Sequence, residues 1–133
     1  MKTSYKLLST TVGLGLVFGG ICGAQPFVYV ANNQSPTVTV IDTVANTVVA
    51  GIPVGRLGDS AIVINPTGSR AYVSNTNNFV SVIDTASNSV IATIPVGNQP
   101  LDIAITTDGT FAYVANNLSN SVSVIRTADN TLV

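Results

Sequence analysis

The chain has 133 residues, enough for one domain, and Val, Ile, Thr, Ser, Asn and Gly dominate its composition while charged residues make up only 8%. This composition predicts an all-β protein. The net charge of −1 includes Lys2 and Lys6, and the rest of the chain carries three Arg against six Asp, a balance of −3. Because so few cations cannot neutralise a run of phosphates, we expect no nucleic-acid partner.

The first 24 residues have the composition of a secretory signal peptide. Residues 1–6 are short and basic, residues 7–21 are mainly apolar, and residues 22–24 are small at the expected cleavage site. The apolar stretch contains Ser, Thr and four Gly, which makes it marginal for a membrane span of about 20 apolar residues. We therefore predict a signal peptide at 1–24 and a mature domain at 25–133 without a membrane span, located in the periplasm, at the cell surface or in the medium.

Three sequence markers recur along the mature part at a period of about 42 residues. The first marker centres on Tyr29, Tyr72 and Tyr113, which are spaced by 43 and 41. The second marker is Val-Ile-Asp-Thr, which becomes Val-Ile-Arg-Thr in its third occurrence, and the third marker is Ile-Pro-Val-Gly. Copies of each are spaced by 42 residues. A period of about 40 to 45 residues is typical of four-stranded propeller blades. The approximate repeats are 27–66, 67–107 and 108–133.

Turn chemistry divides each repeat into four short strands. The first runs over 101–106 and reverses at Asp108-Gly109, where both residues tolerate positive φ. The second carries the Tyr-Val marker and ends in an Asn-rich loop; the third alternates and reverses through a residue predicted to be left-handed, namely Asn46, Asn88 or Asn130. The fourth, at 89–96, has a Pro near its end, as suits an outer edge strand. The pattern predicts ten complete strands, three of them in the first repeat, and a fragment of another.

These motifs resemble the YVTN-type β-propeller repeat family. The resemblance rests on Ala-Tyr-Val-Ser-Asn at 71–75, Val-Ile-Asp-Thr at 82–85 and Ile-Pro-Val-Gly at 94–97, and it covers residues 27–133. It implies blades of four antiparallel strands in a seven- or eight-bladed ring of an exported or surface protein. It also implies a relation in shape to lactonases, haem d1 reductases and quinoprotein dehydrogenase subunits. With about 2.6 repeats, the chain is predicted to form an incomplete, open propeller.

An open array of blades leaves strand edges and apolar faces uncovered, which favours association. Three interpretations follow, in order of preference: a fragment of a larger propeller, a subunit that closes a ring by self-association, or a short stack capped by another protein. In each case we expect a protein partner or self-association to cover the open blade edges.

The residues that most enzymes use are missing from this sequence. It contains no His and no Glu, and the single Cys22 lies in the predicted signal. This excludes Ser-His and Cys-His pairs and the common zinc ligand sets, and no Asp-x-Asp-x-Asp calcium loop occurs. We predict no catalytic residue, cofactor or metal site, and assign Asp42, Asp84 and Asp108 to turns.

The predicted binding face consists of loops at one end of the blades. The Asn-rich loops and the connection after Gly55 should open on the same face, which would form an uncharged, amide-rich surface suited to protein or glycan. The candidate residues are Asn32, Asn33, Arg56, Asp59, Asn75, Asn77, Asn78, Asp102, Asn116 and Asn117. The sequence therefore predicts an exported, non-catalytic scaffold for protein or ligand binding. The alternative is the N-terminal blades of a propeller enzyme, lactonase-like or haem d1/quinoprotein-like, without its catalytic part.

Overall fold

The computed structural model describes residues 14–18, 27–33, 35–55, 58 and 60–133 of the chain. In these residues, twelve strands form three four-stranded antiparallel sheets, and strand order in each sheet follows the chain. The sheets are blade 1 (β1–β4), blade 2 (β5–β8) and blade 3 (β9–β12). Their strands are β1 Leu14–Phe18, β2 Phe27–Asn32, β3 Thr37–Asp42, β4 Thr47–Pro53, β5 Ile62–Ile64, β6 Arg70–Asn75, β7 Phe79–Asp84, β8 Ser89–Pro95, β9 Pro100–Ile105, β10 Phe111–Asn116, β11 Ser121–Arg126 and β12 Thr131–Leu132. This confirms the predicted fold class of open propeller blades.

Strands β2–β11 match the ten predicted strands and β12 matches the predicted fragment, but blade 1 contains one further strand that the sequence did not predict. The additional strand is β1, which pairs with β2 from Leu14↔Asn32 to Phe18↔Val28. It lies inside the segment predicted as a signal peptide, whose other residues are outside the described ranges. The apolar run at 14–18 suits both a signal peptide and a buried inner strand, because both need the same side chains. Composition alone therefore did not separate the two.

The sheets also divide the chain differently from the repeats. The repeats 27–66, 67–107 and 108–133 begin near a second strand, so that each later blade takes its innermost strand from the end of the preceding repeat. The boundaries of the sequence repeats therefore do not coincide with the boundaries of the sheets.

The turns between the third and fourth strands agree with the sequence. Asn46, Asn88 and Asn130 have φ values of 53°, 51° and 57°, which confirms the predicted left-handed conformation. The hairpin at Asp108-Gly109 differs, because only Gly109 has a positive φ, of 76°. Its amide donates to the Thr106 carbonyl at 2.8 Å, so the turn spans four residues and needs the left-handed conformation only at its last position.

The core lies between the blades. We call the face of a blade that packs on the following blade its back, and the face that packs on the preceding blade its front. The same names are used for the equivalent faces of blade 3 and blade 1. The back of blade 1 and the front of blade 2 share one buried cluster, which includes Tyr29, Val38, Val40, Ala71, Val73 and Ile83. The back of blade 2 and the front of blade 3 share another, which includes Tyr72, Val80, Val82, Ala112, Val114 and Ile125. Both contacts use β-branched side chains at alternating strand positions, as sheet-on-sheet packing requires.

A tyrosine hydrogen bond joins each pair of neighbouring blades. The Tyr29 hydroxyl donates to Asn88 Oδ1 at 2.7 Å and approaches the Thr85 carbonyl at 3.3 Å. The Tyr72 hydroxyl donates to Asn130 Oδ1 at 3.4 Å. Burial raises the pKa of both hydroxyls, and the charge of Asp84 adds to the effect on Tyr29. The acceptor in each case is the left-handed Asn of the following blade.

Candidate binding face at the loop end of the blades

Backbone hydrogen bonds gather two kinds of loop at one end of each blade, here called the loop end. The Val54 amide donates to the Pro36 carbonyl and the Val96 amide to the Asn78 carbonyl, each at 2.9 Å. In blade 3 the Asn117 amide donates to the Gln99 carbonyl at the same distance. The connections between blades therefore lie against the loops that link second and third strands.

Asn32, Asn75 and Asn116, the last residues of the second strands, clamp their own hairpins. Their Nδ2 atoms donate to hydroxyls on the third strands: Thr39 at 2.7 Å, Ser81 at 3.0 Å and Ser123 at 2.9 Å. Asn75 and Asn116 are buried, and Asn32 is half-buried. The three predicted binding residues thus use their donors inside the blades. The hydroxyl partners were missed from the sequence, although their spacing of six or seven residues from the Asn was visible.

Two of these Asn residues keep a buried oxygen without a hydrogen-bond partner in the described part of the chain, namely Asn75 Oδ1 and Asn116 Oδ1. The connection glycines lie directly over them. A Cβ at Gly55 would stand 3.5 Å from Asn75 Oδ1, and a Cβ at Gly97 would stand 2.6 Å from Asn116 Cγ. Position 97 therefore has no room for a side chain, because the backbone there lies so close to Asn116.

The outer loop residues divide into two groups. Asn78 Oδ1 accepts the Gln99 amide at 3.0 Å, and Asn117 Nδ2 donates to Gln99 Oε1 at 2.9 Å, so both hold the connection into blade 3. Asn33 and Asn77 are exposed, and their side chains make no hydrogen bond to other described residues. Among the predicted binding residues in the described ranges, these two amides face solvent with unused donors and acceptors.

The charged candidates lie apart from the amides or outside the described residues. Arg56 and Asp59 belong to the latter group. Asp102 is exposed in β9, where it pairs with Ala115 on the back of blade 3, and its Oδ1 accepts the amide of Ile103 at 2.8 Å. The structure thus brings the amides together and places Asp102 on a different face.

A shallow cavity of about 410 Å³ opens beside the loop end of blade 3. Leu101, Ala115 and Val122 form its apolar wall, and Asn117 and Asn120 are among its polar lining residues. The cavity joins the amide loops to the uncovered back of blade 3.

Asp84, Asp108 and Asp129 lie in turns, where hydrogen bonds lower the pKa of each carboxyl group. The Asp84 pKa is lowered by the hydroxyl and amide of Ser87 and, less strongly, by its ion pair with Arg70. The Thr106 hydroxyl, followed by the amide and hydroxyl of Thr110, lowers the Asp108 pKa to about 2. The Asp129 pKa is also lowered, chiefly by Thr131, in the last turn.

Asp42 has the same structural position as Asp84. Its Oδ1 accepts the amides of Val44 at 2.8 Å and Ala45 at 3.0 Å, as expected for a carboxylate that caps a reversal. In the described ranges, no three His, Cys, Asp or Glu side chains come together as a metal site would require. The same ranges contain no helix with the length and apolar character needed to cross a membrane.

Comparisons with known proteins extend these observations. A profile of the family described as "Lactonase, 7-bladed beta-propeller" matches residues 21–132. Hydrazine synthase of Kuenenia stuttgartiensis superposes with a TM-score of 0.76 and 31% identity over 80% of this chain. A functionally unknown protein of Desulfotomaculum acetoxidans DSM 771 superposes with a TM-score of 0.67 and 24% identity, also over 80%, which shows a shared fold. The chain spans 31% and 37% of the lengths of these two structures. No curated protein sequence matches it.

Proposed function

Because the chain belongs to the seven-bladed β-propeller lactonase family, we propose that it supplies consecutive blades whose loop end is a non-catalytic recognition surface in an exported protein. Within that family we place it among proteins with YVTN-type repeats, on the basis of the motifs at 71–75, 82–85 and 94–97. The signal-like composition of residues 1–24 supports export.

The observation that carries this proposal is the difference between the inner loop amides, which are bonded inside the blades, and the outer ones, which are exposed. The inner Asn residues, such as Asn75, are used inside the blades, while Asn33 and Asn77 face solvent with unused donors and acceptors. An exposed amide offers both a donor and an acceptor without a charge to desolvate, which favours neutral polar ligands such as peptide backbone or sugar hydroxyls. Rigid β-strands hold these loops in place, as binding loops require.

The test is a titration of the isotope-labelled full chain with a neutral oligosaccharide and, separately, with an uncharged peptide, followed by NMR shifts of side-chain amides. We expect one of these probes to move the resonances of Asn33 and Asn77. The variant Asn33→Ala/Asn77→Ala should lose the effect, whereas Thr107→Ala, an exposed change at the opposite end of the blades, should keep it. Absence of shifts with both probes would reject a neutral recognition surface at the loop end.

A second candidate is that these are the first blades of a propeller enzyme. The family description and the hydrazine synthase match favour it, since both refer to enzymes and the chain covers only part of the solved structure. Hydrolysis of a simple lactone by the full chain, measured against spontaneous hydrolysis, separates the two candidates. The scaffold predicts no acceleration. An acceleration that Asp102→Asn abolishes would favour the enzyme, because Asp102 is an exposed carboxylate whose Oδ1 alone is engaged, by the Ile103 amide.

A further inference from the structure

Gln99, in the connection from blade 2 to blade 3, has an unusual backbone conformation. Its φ is 52°, and among the described non-glycine residues with a positive φ it is the one that is not an Asn. Asn tolerates the left-handed conformation because its short side chain can bond locally, whereas Gln has no such compensation. A residue strained in this way persists only where its surroundings hold it, and such residues cluster at functional sites. Gln99 is therefore a candidate for a role in binding.

Loops of both neighbouring blades hold Gln99 in this conformation. Its amide donates to Asn78 Oδ1 in the loop of blade 2 at 3.0 Å. Its carbonyl accepts the amide of Asn117 in the loop of blade 3 at 2.9 Å, and its Oε1 accepts Asn117 Nδ2 at the same distance. These bonds use every polar group of Gln99 except Nε2, which makes no hydrogen bond to described residues. The junction of two blades thus fixes a half-buried side-chain amide with two unused donor hydrogens.

An exposed apolar side chain lies beside Gln99. The Leu118 amide donates to the Asn98 carbonyl at 3.1 Å, so the loop of blade 3 runs alongside the connection, and Leu118 is 69% exposed. Its exposure does not depend on a further blade, because Asn77 also lies two residues after the end of a second strand and is exposed although blade 3 follows it. No described residue of this connection or of the two loops beside it carries a charge. An unused donor and an apolar side chain therefore lie together on an uncharged surface.

This surface favours an uncharged peptide over a sugar or a charged segment. A peptide supplies backbone carbonyls, which accept from an amide donor, together with apolar side chains that pack on Leu118. A sugar ring packs its C–H face on an exposed aromatic ring, but Phe79, the one aromatic residue in the described part of the loop end, is half-buried, and its Cζ lies only 3.1 Å from the Cβ position of Gly55. A charged segment would lose water without gaining a counter-charge.

We propose that Gln99 is a specificity-determining residue, whose Nε2 donates to a backbone carbonyl of an uncharged peptide segment in a partner protein. An apolar side chain of that segment packs on Leu118. This inference rests on the proposed recognition function of the loop end and names the class of its partner. It also explains why a strained Gln stands at this position, because glycine would fit the backbone better but would lack the donor.

The experiment is an NMR titration of the isotope-labelled full chain with an acetylated and amidated hexapeptide of alternating Ser and Leu. We expect the side-chain amide of Gln99 and the methyl groups of Leu118 to shift. Gln99→Glu keeps an acceptor for Asn117 but has no donor, so it should weaken binding at least about fivefold. Leu118→Ser should weaken it to a similar extent, because it removes the apolar contact. Thr107→Ala, at the opposite end of the blades, should bind like the wild type.

The outcomes separate this inference from the recognition function on which it rests. Peptide shifts confined to Asn33 and Asn77 would overturn the role of Gln99 and leave the recognition surface in place, as would loop-end shifts with the neutral oligosaccharide alone. No shift with either probe would overturn both. Unchanged peptide binding by Gln99→Glu would also overturn the inference. If that variant loses its β signal in circular dichroism, Gln99→Gly decides, because glycine adopts a positive φ without strain and removes the same donor.

Discussion

Replacing Asn88 by Ala should cost far more stability than its half-buried position in a turn suggests. Two effects add. A residue with a Cβ at φ 51° pays about 1–2 kcal/mol for the left-handed conformation, which Asn tolerates better than Ala. Loss of the 2.7 Å hydrogen bond from Tyr29 costs about 1 kcal/mol. We therefore expect Asn88→Ala to lower the free energy of unfolding by about 2–3 kcal/mol.

Matched variants separate the two effects in urea denaturation of the full chain followed by circular dichroism. Asn88→Gly removes the acceptor without the strain, and Tyr29→Phe removes the donor, so each should cost about 1 kcal/mol. Asn120→Ala should show the strain alone, since Asn120 has a φ of 47° and its side chain accepts no hydrogen bond from described residues.

Either of two results would contradict these expected losses of stability. Equal losses for Asn88→Ala and Asn88→Gly would mean that the left-handed conformation carries no cost. Additive losses in the double variant Tyr29→Phe/Asn88→Gly would mean that the two side chains do not interact, because removal of both partners of one bond should cost little more than removal of one.

Three further predictions concern the buried amides, the glycines and the acid range. Asn75→Ala should lower the free energy of unfolding by about 2 kcal/mol, because it leaves buried partners unpaired. Exposed Asn33→Ala should change it by less than about 0.5 kcal/mol. Equal denaturation midpoints for the two variants would contradict this. Gly97→Ala should lower the melting temperature because its Cβ would overlap a buried side chain, whereas Gly51→Ala, with no atom within 4 Å, should not; similar melting temperatures would exclude the steric cause. The pKa of Asp108, lowered to about 2, contributes stability above the ordinary pKa of 3.8 that is lost as pH falls toward 2. Asp108→Asn should flatten this acid loss in unfolding measured against pH, and an unchanged profile would contradict it.

The blade architecture could be predicted from the sequence because each copy of the repeat contains the same strand and turn signals. Alternating Val and Ile identify the strands, and the Asn at the reversals identifies the left-handed turns, whose φ values agree. Strand β1 was missed because an apolar run of five residues has no feature that distinguishes an inner strand from an export signal.

The candidate site was less accessible from the sequence than the fold. Asn32 and Asn33 are adjacent and identical in type, yet the first is turned inward to the Thr39 hydroxyl and the second faces solvent. Side-chain direction at a strand end depends on the neighbouring strand, and composition does not encode it. The tyrosine hydrogen bonds between blades could not be predicted from the sequence. Tyr29 and Asn88, for example, are 59 positions apart, and only the packing of the blades brings them together.

The tyrosine bonds have a consequence for how such chains change length during evolution. Each bond runs from one blade to the next and uses the same two residue types, so it does not depend on which blade is involved. Loss of one 42-residue unit between Tyr29 and Asn130 would bring these two side chains together as a new donor and acceptor pair. Gain of one unit would likewise insert a blade that already carries both halves of the bond. Unequal recombination within the gene can therefore alter the number of blades while every junction remains of a kind that the fold already contains.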